Sequence, residues 1–426
     1  MDFNPSRSLA ETLDSSDPLA SFRERFVITD PGLIYLDGNS LGRLTHASSD
    51  RVQALVDQQW GHDLIRGWNR NWWEAPARVG EKIAPLVGSA PGQVIVCDTV
   101  SINLFKLVAA ALALRPGRTR IITDTLNFPS DLYILQGLVR LLSSTACPYT
   151  MLRIGSRDGD ITPDLDELEG AIDDQTALVT LSHVTFKSGY LYDMARITEL
   201  AHRHGALVVW DLSHSAGALP IALDDCNVDF ALGCTYKYLN GGPGSPAFLY
   251  VRKDLQEQCL SPICGWWGQN TPFAFGLDYT PAQGVARFLS GSQPILSMQV
   301  MESALDPLLE AGMPAVRLKS VQLSEYMLYL ADSLLVPLGF QVGSPRDPAR
   351  RGSHISLRHA EGYRINRALI EEMNLLPDFR EPDNLRLGLA PLYTSFCDVW
   401  EGVDRIRRVV QEQLFLHYPP ERQTVT

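Results

Sequence analysis

Between residues 206 and 251 an acid and an amine stand where one ligand could meet both. Asp211 ends the apolar run 206–210, which is short and β-branched enough to be a buried strand. A second apolar run, 230–233, leads to Thr235, Tyr236 and Lys237. Gly241, Gly242, Pro243, Gly244 and Pro246 follow, and a third apolar run covers 247–251. Ligands of open α/β sheets bind beyond the carboxyl ends of the strands, where Asp211 and Lys237 both fall. A lysine can hold an aldehyde as a Schiff base, and a carboxylate can keep a pyridine nitrogen protonated. Together they suit pyridoxal phosphate, whose protonated ring takes up the electrons of a substrate carbanion. A surface lysine beside a Gly-Pro turn has the same spacing. The acid at a strand end, Tyr236 beside the lysine and the glycines favour the chemical reading.

Other stretches offer partners for such a ligand. Asp98, Thr99, Val100 and Ser101 follow the apolar strand 94–97 and open a helix over 102–114. A hydroxyl-rich turn at a helix start can bind an anion through free N–H groups and the helix dipole, or can simply cap the helix. Past the strand 119–123, Phe128 could stack on a planar ring and Asp131 could hydrogen-bond it. The strand 177–181 ends in Ser182 and His183. Arg386, at the end of a strand, could take a carboxylate as a fork, or be a surface ion-pair partner. The loop Asp37 to Gly42 reads equally as a connecting turn and as a wall facing substrate.

The elements that must position these residues alternate between strand and helix from about 90 to 250, which indicates a mainly parallel, doubly wound sheet. Before it, residues 1 to about 30 read as an arm and a first helix starting near Asp17 and Pro18. Residues 47–87 read as helical, with Trp60, Trp68, Trp72 and Trp73 as core or as an aromatic platform. After it, a long helical stretch over 295–335 leads into an α+β unit with strands at 340–342 and 353–358 and helices at 362–374 and 397–416. The helix 193–204 stops at Gly205. These boundaries give an arm at 1–45, a large domain at 46–310 and a small domain at 311–426.

The whole chain narrows the function. Its 426 residues exceed what one core usually holds. A net charge of −12 argues against nucleic acid as the main partner. No apolar run is long enough to span a bilayer, and the polar N-terminus lacks the apolar region of a signal peptide. Seven scattered cysteines without a C-x-x-C pair suggest reduced thiols in a cytoplasmic protein. Nine histidines show no metal-ligand spacing, so no metal is expected.

Taken together the motifs resemble the kynureninase family. They are YLDGNSLG at 35–42, LIRGWN at 64–69, SINLFK at 101–106, NFPSDLY at 127–133, WDLSHSAG at 210–217, GCTYKYLNGGPGS at 233–245, and REP with LRLG within 380–388. They run in the family's order along nearly the whole chain. The resemblance implies a type I pyridoxal-phosphate fold of the class V aminotransferase-like subgroup. That fold has a large domain on a mainly parallel, seven-stranded sheet, a smaller α+β C-terminal domain, and a homodimer with active sites at the subunit interface. It implies a hydrolase acting on a carbon–carbon bond of a ketonic substrate: L-kynurenine, or its 3-hydroxy form, gives anthranilate, or 3-hydroxyanthranilate, and L-alanine in tryptophan degradation and NAD formation.

Carried over by position, Lys237 holds the cofactor and acts as general base, Asp211 partners the pyridine nitrogen with Asp131 close by, and Tyr236 donates a proton. Phe128 stacks on the ring, with Pro129 and Ser130 beside it. Val100, Ser101 and Tyr236 contact the phosphate, as do Trp266 and Ser292 from the other subunit. Ser182 and His214 match further cofactor contacts. Arg386 takes the substrate carboxylate, Trp68 stands where the family sets its preference between the two substrates and favours plain kynurenine, and Asn39 lies on the substrate loop. Two departures concern the cofactor's surroundings: 185–189 reads TFKSG where bacterial relatives carry NYKTG, and Ser292 stands where relatives carry Thr or Asn. Rival readings are another reaction on the same scaffold, such as an aminotransferase or a cysteine desulfurase using Cys264, and a binding protein that kept the pocket without turnover.

Overall fold

The computed structural model describes residues 4–145 and 147–421; the first three residues of the expected arm and the last five of the small domain lie outside them. The chain begins with a helix, Arg7–Ser15, and a short strand β1, Ile34–Tyr35. The helix thus lies upstream of the expected start. Asp17 instead accepts the Leu19 N–H (2.9 Å) ahead of a tight turn at Ala20–Arg25, and pairs with buried Lys319 at 2.6 Å.

The seven-stranded sheet is built from β2 (Val94–Val96), β3 (Arg120–Asp124), β4 (Thr150–Ile154), β5 (Thr176–Ser182), β6 (Leu207–Asp211), β7 (Phe230–Gly233) and β8 (Phe248–Val251). Its order is β2-β8-β7-β6-β5-β3-β4, and only β8 runs against the rest. β5 to β8 are buried along their whole length, as expected where both faces carry helices. β6 and β7 end together at Asp211 and Gly233, so the acid and the turn bearing Lys237 emerge at one edge.

The C-terminal core is antiparallel. β9 (Gln341–Val342), β10 (His354–Arg358), β12 (Asp378–Arg380) and β13 (Asn384–Gly388) form a sheet in the order β12-β13-β10-β9. The remaining strand, β11 (Leu375–Leu376), pairs in parallel with β1. Ala10, Ile34 and Leu36 pack in one cluster with residues drawn from 323–409. Thus the N-terminal segment closes the C-terminal core.

Two expected long helices are interrupted. The 295–335 stretch is three helices, Ile295–Ala304, Asp306–Ala311 and Met313–Leu330, because Pro307 and Pro314 suit only helix starts and Gly312 turns at φ +76°. The 47–87 stretch contains wide helical turns at Leu55–Asp63 and Trp68–Trp72, with Leu64 at φ +53° between them.

Candidate active site

The C-terminal edge of the large sheet opens into a cavity of about 410 Å³. Its walls include Val100, Ser101, Phe128, Ser130, Asp131, Asp211, His214, Tyr236, Lys237 and Arg386, ten of the residues singled out from the sequence. Each is held by backbone geometry that its neighbours dictate. Asp211 is the last residue of β6, and its carboxylate is fixed by the Ser213 N–H (2.8 Å) and the Ser213 hydroxyl (2.6 Å). Ser213 also accepts the Cys234 N–H at 3.1 Å, which locks the β6 turn to the β7 turn.

Lys237 follows on that β7 turn. Its Nζ lies 2.9 Å from Nε2 of His214 and 6.0 Å from the centre of the Tyr236 ring. The turn rests on the loop from Asp37 to Gly42. Gly42 donates its N–H to the Tyr236 carbonyl at 2.7 Å, and a Cβ on Gly42 would stand 2.3 Å from the Lys237 carbonyl. Only glycine allows that approach.

The opposite wall is cationic. Arg386 lies in the middle of β13 rather than at its end, and is 2% exposed. Its Nη1 donates to the Phe186 carbonyl (2.6 Å), and its Nη2 donates to Ser40 Oγ (2.8 Å) and Asp378 Oδ2 (2.5 Å). Arg380 reaches the same Asp378 oxygen at 2.8 Å. Among the described residues Arg386 Nε is buried without a hydrogen-bond partner. A buried donor left unpaired is costly, so this nitrogen suits a guest acceptor.

Electrostatics follow from burial. The Asp131 carboxyl is pushed well above the carboxylate range by burial and by adjacent Asp211, against the pull of Lys237. Burial, then the charges of Lys237 and Arg386, hold His214 well below its ordinary value, so its ring is neutral. Cys234 and burial raise the Tyr236 phenol, which therefore keeps its proton at neutral pH. His354 packs on His214 at 5.3 Å and is held neutral in the same way.

These residues fit pyridoxal phosphate. Two buried acids face a lysine across a cavity that could take a flat ring, and a protonated ring nitrogen is the cation that such an acid pair lacks. Phe128 lies on the wall with Phe186 edge-on to it at 5.2 Å. At the far end Thr99, Val100 and Ser101 open the helix Val100–Ala113. Thr99 Oγ1 accepts the Ile102 N–H at 3.4 Å, and Ser101 Oγ lies 3.1 Å from Ser130 Oγ.

Six expected residues are not on the wall. Pro129 is the first residue of the helix Pro129–Leu142. Ser182 is buried and donates to Asn127 Oδ1 at 2.6 Å. Asn39 is fully buried against Gly388, where a Cβ would meet its Oδ1 at 1.8 Å; its neighbour Ser40 faces the cavity instead. Trp68 packs on Trp266 (6.0 Å) and Trp267 (5.2 Å) in an aromatic cluster. Trp266 and Ser292 are exposed. Conversely, Arg380 and Ser213 line the cavity without having been assigned a role, and Thr99 and Ser40 line it where only their turn and loop had been singled out. Each stood within or next to a quoted motif, and side-chain direction in a loop leaves no periodic trace.

The seven-stranded order with this cavity defines a pyridoxal-phosphate enzyme of the class V type. Solved structures agree on the fold. The apo cysteine desulfurase of Thermococcus onnurineus NA1 superposes with TM-score 0.75 at 17% identity, over 94% of this chain and 98% of that one. The Escherichia coli cysteine desulfurase CsdA gives TM-score 0.78 at 18% identity, over 97% and 100%. A C-DES mutant with glycine covalently linked to its PLP cofactor gives 0.76 at 18%, over 88% and 97%. The chain belongs to the kynureninase family. It is 43% identical to the kynureninase of Burkholderia pseudomallei (strain 1106a) over 412 residues, 96% of each chain. It is 42% identical to that of Pseudomonas fluorescens over 406 residues, 94% of each. Residues 316–406 match the model of the kynureninase C-terminal domain.

Among the described residues no helix is long and apolar enough to cross a membrane, and no group of three or more His, Cys, Asp or Glu side chains is placed to hold a metal ion. Cys264, the residue a desulfurase reading would need, is exposed and off the cavity wall.

Proposed function

We propose that the cavity binds pyridoxal phosphate and that the protein hydrolyses L-kynurenine to anthranilate and L-alanine. The observation that carries this reading is the meeting of Lys237, Asp211, Asp131 and Arg386 in one cavity of a chain this close to curated kynureninases. The cofactor supplies an electron sink for the substrate's Cα and Cβ. Lys237 would be its attachment point, and Asp211, braced by Ser213, would hold its ring nitrogen. With both acids buried side by side, a protonated ring nitrogen would be the cation that lets Asp131 ionise beside Asp211.

The chain's own groups handle substrate and protons. Arg386 takes the substrate carboxylate, with its partnerless Nε available. Lys237 Nζ removes the Cα proton, and neutral His214 Nε2 orients that amine by accepting one of its hydrogens. Tyr236 Oη, protonated at neutral pH, delivers a proton to the carbon released as alanine. Ser40, between Arg386 and Asp378, limits the movement of the arginine and gives the substrate loop its contact.

Trp266 and Ser292 lie off this wall and would serve the cavity of a second copy; Trp68, which packs on Trp266, is the residue that would set the preference between kynurenine and its 3-hydroxy form. An apolar groove of about 250 Å³ between Val52, Val56, Leu296 and the Gly241–Pro243 turn supports a homodimer that covers it. Its cysteines are unpaired among the described residues, in keeping with a cytoplasmic setting.

The experiment is anthranilate release, read by fluorescence, from L-kynurenine, and release of the hydroxylated product from 3-hydroxykynurenine, with and without pyridoxal phosphate. Cofactor-dependent cleavage favouring kynurenine is expected. No cleavage of either by the cofactor-loaded protein would move the function to another reaction of the scaffold.

A further inference from the structure

An acid stands directly before the anion-facing turn. Asp98 precedes Thr99, Val100 and Ser101, and a carboxylate there would oppose any phosphate bound at the start of the helix Val100–Ala113. The charge is answered by Lys106, two turns into the same helix. Its side chain is 0% exposed. Nζ donates to Asp98 Oδ2 (2.6 Å) and to the Phe288 carbonyl (2.6 Å), and lies 3.6 Å from Cys97 Sγ.

Asp98 is tied down on every side. Ser290 Oγ donates to Oδ1 at 2.9 Å, the Asp98 N–H donates to Gln293 Oε1 at 2.9 Å, and its carbonyl accepts the Ala247 N–H at 2.9 Å. It holds φ at +47°, a backbone region that costs a non-glycine residue and persists where surroundings over-determine it. Ser290 in turn accepts the Trp267 N–H at 3.2 Å through its carbonyl. Neither Asp98 nor Lys106 lines the cavity.

We propose that Lys106 is a positioning residue for phosphate recognition. It neutralises Asp98 and, through Asp98, fixes the 99–101 turn to the 288–293 loop that bears Ser292. The inference rests on the cavity being the pyridoxal-phosphate site, and gives that site a component that never touches the ligand. An ion pair that merely stabilised the fold would affect a phosphorylated and an unphosphorylated ligand alike. Charge compensation beside the phosphate affects only the first.

The test compares equilibrium binding of pyridoxal phosphate and of pyridoxal by the full chain, in the wild type and in Lys106→Met, Ser290→Ala and Asp98→Asn/Lys106→Met. Lys106→Met is expected to reduce the advantage of the phosphorylated ligand by about tenfold or more, since it leaves an uncompensated charge beside the anion. Ser290→Ala should reduce it by a few-fold, about the effect of one hydrogen bond. The double variant, which removes both charges, should regain most of it. An unchanged ratio in Lys106→Met, or a double variant no better than the single, overturns the proposal. Should Lys106→Met not fold, an unchanged ratio in Ser290→Ala overturns it instead. A wild type that binds both ligands equally removes the phosphate site itself, and the reading of the cavity with it.

Discussion

Nζ of Lys237 lies 2.9 Å from Nε2 of His214, an imidazole that burial keeps neutral. A neutral ring can accept a hydrogen from the amine and so fix its direction, which a protonated ring could not do. His214→Phe keeps ring volume and loses the acceptor. We expect turnover to fall about tenfold, the effect of one hydrogen bond to a charged or reacting group, with His214→Gln retaining more. Steady-state kcat for the two variants checks this, and equal losses would count against orientation. Lys237→Ala should lower turnover by at least about a thousandfold, because base and attachment point go together.

Arg386→Lys keeps the charge but cannot reproduce the contacts of Nη1 and Nη2 while leaving Nε to a substrate. KM for kynurenine should rise by about tenfold to a hundredfold, the equivalent of one or two charge-assisted hydrogen bonds. An unchanged KM would place the carboxylate elsewhere.

Asp37 carries a pH dependence. Burial, then the charge of Asp378, push its carboxyl up to about 7 from 3.8. A carboxyl raised in the folded state penalises folding as pH climbs from its unfolded value to its folded one, and the full penalty stands above about 7. Asp37→Asn should therefore gain stability over wild type between pH 5 and pH 8, by about 1–3 kcal/mol after discounting the coupling to Asp378. Urea midpoints at the two pH values read it. Ionised Asp37 also adds negative charge near Arg386, so the wild-type KM should rise above pH 7 and the variant's should not.

Cys264 is exposed and donates only weakly to the Ser261 carbonyl at 3.7 Å. Cys264→Ser should leave kynurenine turnover within about a factor of two, as for most surface changes. A large loss would revive a thiol mechanism.

The sequence made the centre of the site legible because strand ends are legible. Apolar runs place Asp211 and Lys237 at one edge of a parallel sheet, and a hydroxyl turn before a helix places Val100 and Ser101 there too. What it could not convey was direction across long separations. Asn39 and Ser40 are adjacent, yet Asn39 wedges against Gly388 while Ser40 reaches Arg386, a choice made by strands more than three hundred residues further on. The role of Asp378 beside Arg386 appears only once β12 is paired with β13 in register, Asp378 opposite Arg386. The helix at Arg7–Ser15 was missed because Asp17 and Pro18 are a strong start signal, used here for a single tight turn.

The pairing of β1 with β11 also imposes an order of assembly. On the ribosome, Ala10, Ile34 and Leu36 emerge long before their partners at 375–376 and 396–409, whereas Leu19 and Phe26 between them belong to the large core. The large core can therefore form while Ile34 and Leu36 still await the C-terminal cluster that buries them. The Asp37–Gly42 loop is anchored at both ends, Gly42 on the Tyr236 carbonyl and Asp37 bridged to Gly388, so the floor beneath Lys237 is complete only once both cores have formed.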